Sequence, residues 1–332
     1  MAKKSPSNLM KFSKQPASSS SPSSQQTNEN KEQKYLTTST SLGHVIMMMV
    51  LSFCRRITNS QLIRKRILAY FCIVFVGGLL NDFAPMINHA FMFKVQKTNV
   101  LNQWFVKIGW FWTFTLTTLL TYFTTQVLTH DFGNSDKTTS NNNLRQKTYM
   151  RFLLSRDFIR LVINTLIWFI SVNSFLIIED WTGACTESTE INKLSCISRG
   201  HKWIPGFDIS GHTFLLLFSN LVILEECSVM IGWEPFGHQL HAEQQHLQRQ
   251  FHLDHKQREL YVKLSTPIRV IYIFLTILSL IWDFMLLQTS LFYHTMLQKL
   301  IGGVWAILLW FFAYQNLYKY FLLDVKTPKT KL

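Results

Sequence analysis

Six stretches of this chain are apolar over close to twenty residues, and that length most tightly limits what it can fold into. A bilayer core about 30 Å thick takes roughly 20 apolar residues to cross as a helix. Only segments that satisfy their own backbone hydrogen bonds can cross it at all. The stretches are 67–84, 104–128, 158–178, 214–233, 268–287 and 300–323, several with Trp or Tyr at an end as interfacial anchors. Of 332 residues, 48% are hydrophobic; a soluble chain would spread them as amphipathic periods over about two domains. The expected fold is all-α, a polytopic six-helix transmembrane bundle.

The flanks set the orientation. Residues 1–40 are rich in Ser, Gln, Lys and Asn and hold no apolar run, so a disordered cytosolic segment is expected. In the next segment, 41–66, the apolar run 45–54 is too short to cross. It reads as an interfacial or re-entrant helix with Arg55, Arg56, Arg64, Lys65 and Arg66 behind it. The membrane domain then occupies 67–323 and a tail 324–332. No cleavable signal peptide precedes the spans, so the first is expected to act as an uncleaved anchor. Six crossings put both termini on one side, which holds 23 Lys and Arg against 6 on the other. By the positive-inside rule the termini are cytosolic. The net charge of +14 sits on these membrane flanks, which makes lipid head groups the expected partner and sets nucleic acid aside.

Cys185 and Cys196 fall in the long lumenal loop, where oxidising conditions allow a disulfide, and they are expected to pair. Cys54, Cys72 and Cys227 lie in or beside apolar segments and are expected to be inert. The cysteine spacing fits no zinc pattern, and no metal or cofactor is expected.

Two histidines, His212 and His294, stand just outside different spans and should emerge on the same, lumenal side. Gly206-Phe207-Asp208-Ile209-Ser210-Gly211-His212-Thr213-Phe214 runs straight into the fourth span. Ser210 or Asp208 can cap that helix, and Gly211 lets backbone approach closely. The helix N-terminus points free N–H groups and a positive dipole end at the lumenal interface, where they attract a phosphate. Ser-Gly-His by itself is equally a capping sequence with an interfacial histidine. His294, in the link between the fifth and sixth spans, reads alone as an interface residue. Together on one face of the bilayer, the two imidazoles can divide nucleophile and acid roles in breaking a phosphate bond.

Other polar groups lie inside or beyond the spans. His212, Ser219 and Glu226 are spaced by seven and share one helix face. Glu226 lies roughly 21 Å below His212, too far for contact. It is expected to pair with another helix rather than to line a hydrophilic cavity. Asp283 is nearer the lumenal end and is a candidate to orient His294. In the cytosolic loop, His238, His241, His246, His252 and His255 read as one polar, solvated helix. His252, Asp254 and His255 are its best metal set, on the opposite side from the lumenal histidines.

Asn99-Val100-Leu101-Asn102, Phe105-Val106-Lys107, Trp112-Thr113-Phe114, the run 206–216, Glu225-Glu226 and Tyr293-His294 with Gln298-Lys299 occur in that order. Over roughly 65–322 the chain thereby resembles the fat storage-inducing transmembrane family. The resemblance implies an endoplasmic reticulum membrane protein with six spans and cytosolic termini, related to lipid phosphate phosphatases. It implies that His212 and His294 are the catalytic pair. The implied activity is hydrolysis of fatty acyl-CoA at its diphosphate, giving acyl 4′-phosphopantetheine and adenosine 3′,5′-bisphosphate. Binding of di- and triacylglycerol and lipid droplet formation are implied as well. The alternative is a non-catalytic protein that partitions neutral lipid, with Asn164, Asn173 and Glu226 as lipid contacts. The phosphatase superfamily supplies an Arg ahead of its second histidine. Here Thr289-Ser290-Leu291-Phe292-Tyr293 stands there instead, leaving Arg199, Lys202 and Lys299 as lumenal cations for the developing charge.

Overall fold

The computed structural model describes residues 42–83, 108–128, 156–186, 193–238 and 252–321. The expected disordered N-terminus, the tail, Lys94, Lys97, His241 and His246 lie outside the described residues, as do the side chains of His252 and His255. The chain divides into two units, 1–49 and 50–332. The first is described only at residues 42–49, the opening turns of helix α1 (Leu42–Ile57).

The second unit is built from α2 (Ile63–Phe83), α3 (Gly109–Leu128), α4 (Arg156–Trp181), α6 (Gly211–Glu226), α7 (His252–Phe292) and α8 (Met296–Phe311). Between α4 and α6 lies an antiparallel hairpin, β1 (Ala184–Cys185) and β2 (Trp203–Ile204), with the short helix α5 (Lys193–Ser198) in its loop. Among the described residues, four helical segments are long and apolar enough to cross a membrane: Arg156–Trp181, Gly211–His238, Arg258–Phe292 and Met296–Tyr320. The protein is an all-α, multi-pass membrane protein. Helices α2 and α3, 21 and 20 residues long, overlap the other two stretches, 67–84 and 104–128. Helix α3 carries seven threonines. Three of their hydroxyls turn back onto the helix itself, Thr113 to Gly109 O at 3.2 Å, Thr117 to Thr113 O at 2.6 Å and Thr124 to Leu120 O at 2.9 Å. Such back-bonding satisfies a hydroxyl without water.

Helix α6 sits at the centre and touches α2, α3, α4, α7 and α8. Its apolar residues face all round, as a helix enclosed by others requires. From Thr213 to Leu224 every side chain but Leu215 is buried. Phe214 stacks on Phe218 and Phe218 on Trp110, each with 5.6 Å between centroids, while Phe175 meets Phe214 edge-on.

Polar groups inside this core are joined to one another. At the end of α6 away from Gly211, Arg160 holds Glu226 through two hydrogen bonds of 2.6 Å, Nε to Oε1 and Nη2 to Oε2. Arg160 also pairs with Asp157 at 3.1 Å, and the Tyr314 hydroxyl donates to Glu226 at 2.9 Å. Asn164 donates to the Tyr314 oxygen and accepts from Tyr318. Glu226 is therefore an interhelical partner, as expected of a carboxylate that deep. Asn164, assigned to lipid contact in the non-catalytic alternative, is buried in the same network. Asn173 turns its side chain to its own helix, at Phe169 O.

Candidate active site

The two histidine-bearing segments are brought together by α8 lying close against α6. Gly302 makes this possible: a Cβ there would stand 2.6 Å from the carbonyl oxygen of Ser210. Small residues at a helix crossing let backbones approach. Gly303 and Ala306 are buried on the same helix. In this crossing the amide of Ser210 donates to the Gln298 carbonyl at 3.2 Å, joining the first turn of α8 to the start of α6.

The segment leading into α6 is held at its other end by the C-terminal end of α4. Gly206 N donates to Glu179 O at 3.2 Å, and Phe207 N to the Thr182 hydroxyl at 2.7 Å. No side chain fits at Gly206, since a Cβ would stand 2.1 Å from Thr182 Oγ1. Within the hairpin Cys185 and Cys196 form a disulfide, the expected pairing. Lys193 and Asp180 add an exposed ion pair at 2.8 Å, which raises the lysine above its ordinary range.

Ser210 is the cap of α6. Its backbone is extended and its hydroxyl oxygen accepts from Thr213 N at 3.3 Å. Asp208, the other cap candidate, goes elsewhere: its Oδ2 stands 3.3 Å from Nδ1 of His294. A carboxylate at Nδ1 keeps the proton of a neutral imidazole on that nitrogen and leaves the lone pair on Nε2. His212 lies within electrostatic range of both His294 and Asp208. His212, in the first turn of α6, and His294, in the turn between α7 and α8, thus lie within electrostatic range of one another, and Asp208 is in contact with His294. Both imidazoles are partly exposed, and the position a Gly211 side chain would occupy is open, with no atom within 4 Å.

Two sequence expectations change here. Asp283 does not orient His294; it accepts from Tyr70 at 2.8 Å and from Asn220 at 2.5 Å, with Arg66 at 3.7 Å. A carboxylate inside a bundle takes the donors on the facing helices, and α2 and α6 supply them about three helical turns from the end that carries His294. The close approach assigned to Gly211 is made at Gly302 instead. Of the three candidate cations for the developing charge, Lys299 is buried, with Nζ donating to Ser290 O at 2.7 Å, while Arg199 and Lys202 lie exposed around the hairpin.

The turn that carries His294 depends on Asn81 and Asp82, which no sequence pattern singled out, and on Gln298. Asn81 Nδ2 donates to the His294 carbonyl at 3.0 Å and Asp82 Oδ2 accepts from Met296 N at 2.9 Å. Gln298 Oε1 accepts from Thr295 N at 3.0 Å. Only this last contact had a legible signal, the Thr-x-x-Gln spacing of a capping box.

Comparison with known proteins agrees with this architecture. A family model described as fat storage-inducing transmembrane protein matches residues 90–314. A Drosophila melanogaster protein named acyl-coenzyme A diphosphatase FITM2 is 32% identical over 84% of this chain and 64% of its own length. The chain therefore spans just under two thirds of that relative. Proteins of the same name are 29% identical in Homo sapiens and 31% in Xenopus tropicalis, each over 79% of this chain and 87% and 86% of theirs. No solved structure matches the chain. With a family match over two thirds of its length and one membrane bundle beneath it, the chain belongs to the fat storage-inducing transmembrane protein family.

Proposed function

We propose that this protein hydrolyses the diphosphate of fatty acyl-CoA, releasing acyl 4′-phosphopantetheine and adenosine 3′,5′-bisphosphate. The observation that carries this is the pairing of Asp208 with Nδ1 of His294 beside His212. The relatives named for acyl-CoA diphosphatase activity supply the substrate class.

In the proposed reaction the acyl chain stays in the bilayer and the diphosphate reaches the boundary where α6 and α8 begin. Nε2 of neutral His294 attacks one phosphorus and the bridging P–O bond breaks, leaving a phosphohistidine. His212 gives a proton to the departing oxygen, then takes one from the water that cleaves the P–N bond. Asp208 holds the His294 tautomer and offsets the positive charge the ring acquires. The free N–H groups at the start of α6 face the developing negative charge.

The same proposal sets the protein in the endoplasmic reticulum membrane with six spans, α2 and α3 included. Both termini are cytosolic and the histidines lumenal. Residues 1–40 are then a disordered cytosolic segment, 41–66 an interfacial one, 67–323 the membrane domain and 324–332 a tail. Di- and triacylglycerol are its proposed neutral-lipid ligands, linking it to lipid droplet formation.

The test is the full-length protein in lipid nanodiscs with oleoyl-CoA, both products followed by mass spectrometry. His212→Ala and His294→Ala are each expected to lower turnover by at least about 100-fold. Asp208→Asn, which favours the wrong tautomer, is expected to lower it with little change in KM. Folded variants that turn over as wild type would falsify the catalytic assignment.

A further inference from the structure

His294 is, among the described residues, the only non-glycine with a positive φ, at 54°. An L-residue there suffers a clash between Cβ and its own carbonyl, and it persists only where surrounding structure holds it. What holds it is helix α2. Gly77 and Gly78 pack directly on the helix ends that flank the link, the last turn of α7 and the first residue of α8: their Cβ atoms would stand 2.7 Å from Ser290 Oγ and 2.7 Å from Met296 Cγ. One turn further on, Asn81 donates to the His294 carbonyl and Asp82 accepts from the Met296 amide. That amide is a free donor of the first turn of α8, and Asp82 also sits at the positive end of its dipole. Two consecutive α2 residues therefore fix the peptide groups on either side of the Thr295 cap. Turning residue 294 back to a right-handed conformation would break the Asn81 bond and swing the ring away from Asp208.

We infer that Asn81 and Asp82 are positioning residues for His294, holding its backbone in the left-handed conformation that sets the imidazole against Asp208. This rests on the proposed reaction, in which that imidazole is the nucleophile. Neither side chain touches the reacting atoms; each acts through the turn.

The experiment uses the full-length protein in nanodiscs with Asn81→Ala, Asp82→Ala and the conservative Asp82→Glu. Oleoyl-CoA turnover and hydrogen exchange of the amides of 293–296 are measured on each. Asn81→Ala and Asp82→Ala are expected to lower kcat about 10- to 100-fold, with KM within about twofold, because a displacement near 1 Å can cost that much. Exchange at 293–296 is expected to rise at least about tenfold while exchange in α6 stays as in wild type. Asp82→Glu, which keeps the carboxylate, is expected to recover most of both effects. A rise in exchange with unchanged kcat, a fall in kcat with unchanged exchange, or equal losses in α6 and the turn would each overturn the inference. Wild-type protein that hydrolyses no acyl-CoA refutes the proposed reaction, and the exchange data then still report separately whether α2 holds the turn.

Discussion

Replacing Gly302 by Ala tests the central geometric claim, that the contact between α6 and α8 sets the distance between the histidines. The added Cβ would stand 2.6 Å from Ser210 O and 3.6 Å from Phe214 N. Carbon and oxygen settle at about 3.3–3.6 Å, so the helices must part by about 0.7–1 Å. The atom that blocks the methyl is backbone at a capped helix start, and it cannot rotate away. The Ser210 amide already reaches 3.2 Å to Gln298 O, and the same displacement takes that bond out of range. Its loss costs about 1 kcal/mol and the overpacking about 1–3, against a gain in helix propensity of up to ~1. The net expectation is a destabilisation of about 1–3 kcal/mol and, from the moved imidazole, a loss of turnover near 100-fold. The assay is oleoyl-CoA hydrolysis together with thermal unfolding in nanodiscs. Two glycines serve as controls. At Gly303 the nearest atom is Leu217 Cδ1 at 3.2 Å, the end of a side chain that can shift, and at Gly211 nothing lies within 4 Å. Gly303→Ala is expected to be mild and Gly211→Ala to fold at least as stably as wild type. Gly302→Ala protein with turnover within threefold of wild type and an unchanged transition would refute the reasoning.

Three further outcomes follow from the same contacts. Glu226→Leu leaves the Arg160 guanidinium buried without its main partner and is expected to cost about 3–5 kcal/mol, while Arg160→Leu added to it recovers much of the loss; thermal unfolding of the single and double variants decides this, and equal stabilities would contradict it. His294→Gly and His294→Ala both lack the imidazole, yet glycine is expected to be the more stable by about 1 kcal/mol because only it fits φ 54° without strain. Denaturant midpoints in the reverse order would count against the strained turn. Removing the Cys185–Cys196 bridge, which spans 11 positions, is expected to weaken the hairpin by about 2–3 kcal/mol without unfolding the bundle. Faster amide exchange confined to 184–204 would show it, and loss of the whole transition would not fit.

Much of this architecture is written locally. Crossing length and apolar content mark the helices Arg156–Trp181, Gly211–His238, Arg258–Phe292 and Met296–Tyr320, because burying a helix in lipid is a property of each segment by itself. Ser210 before α6 and the Thr295–Gln298 spacing before α8 are legible for the same reason, since a cap involves residues three apart. A compartment and two cysteines in one loop were enough to anticipate the disulfide.

Which polar group meets which is another matter, because it is settled by helices far apart in the chain. Asp283 was a candidate for His294 by its expected place near the same end of its span, yet Tyr70 and Asn220, on α2 and α6, take it. Asp208, read as a possible cap, reaches His294 86 positions later, because Gly302 lets α8 close on Ser210. Asn81 and Asp82 carried no signal in the sequence; only the packing of Gly77 on Ser290 and of Gly78 on Met296 brings them to the His294 turn. The sequence alone determined that helices cross a membrane and where several of them begin. Tertiary packing alone decided which carboxylate faces the imidazole and what holds its backbone, since both depend on how closely two helices can approach.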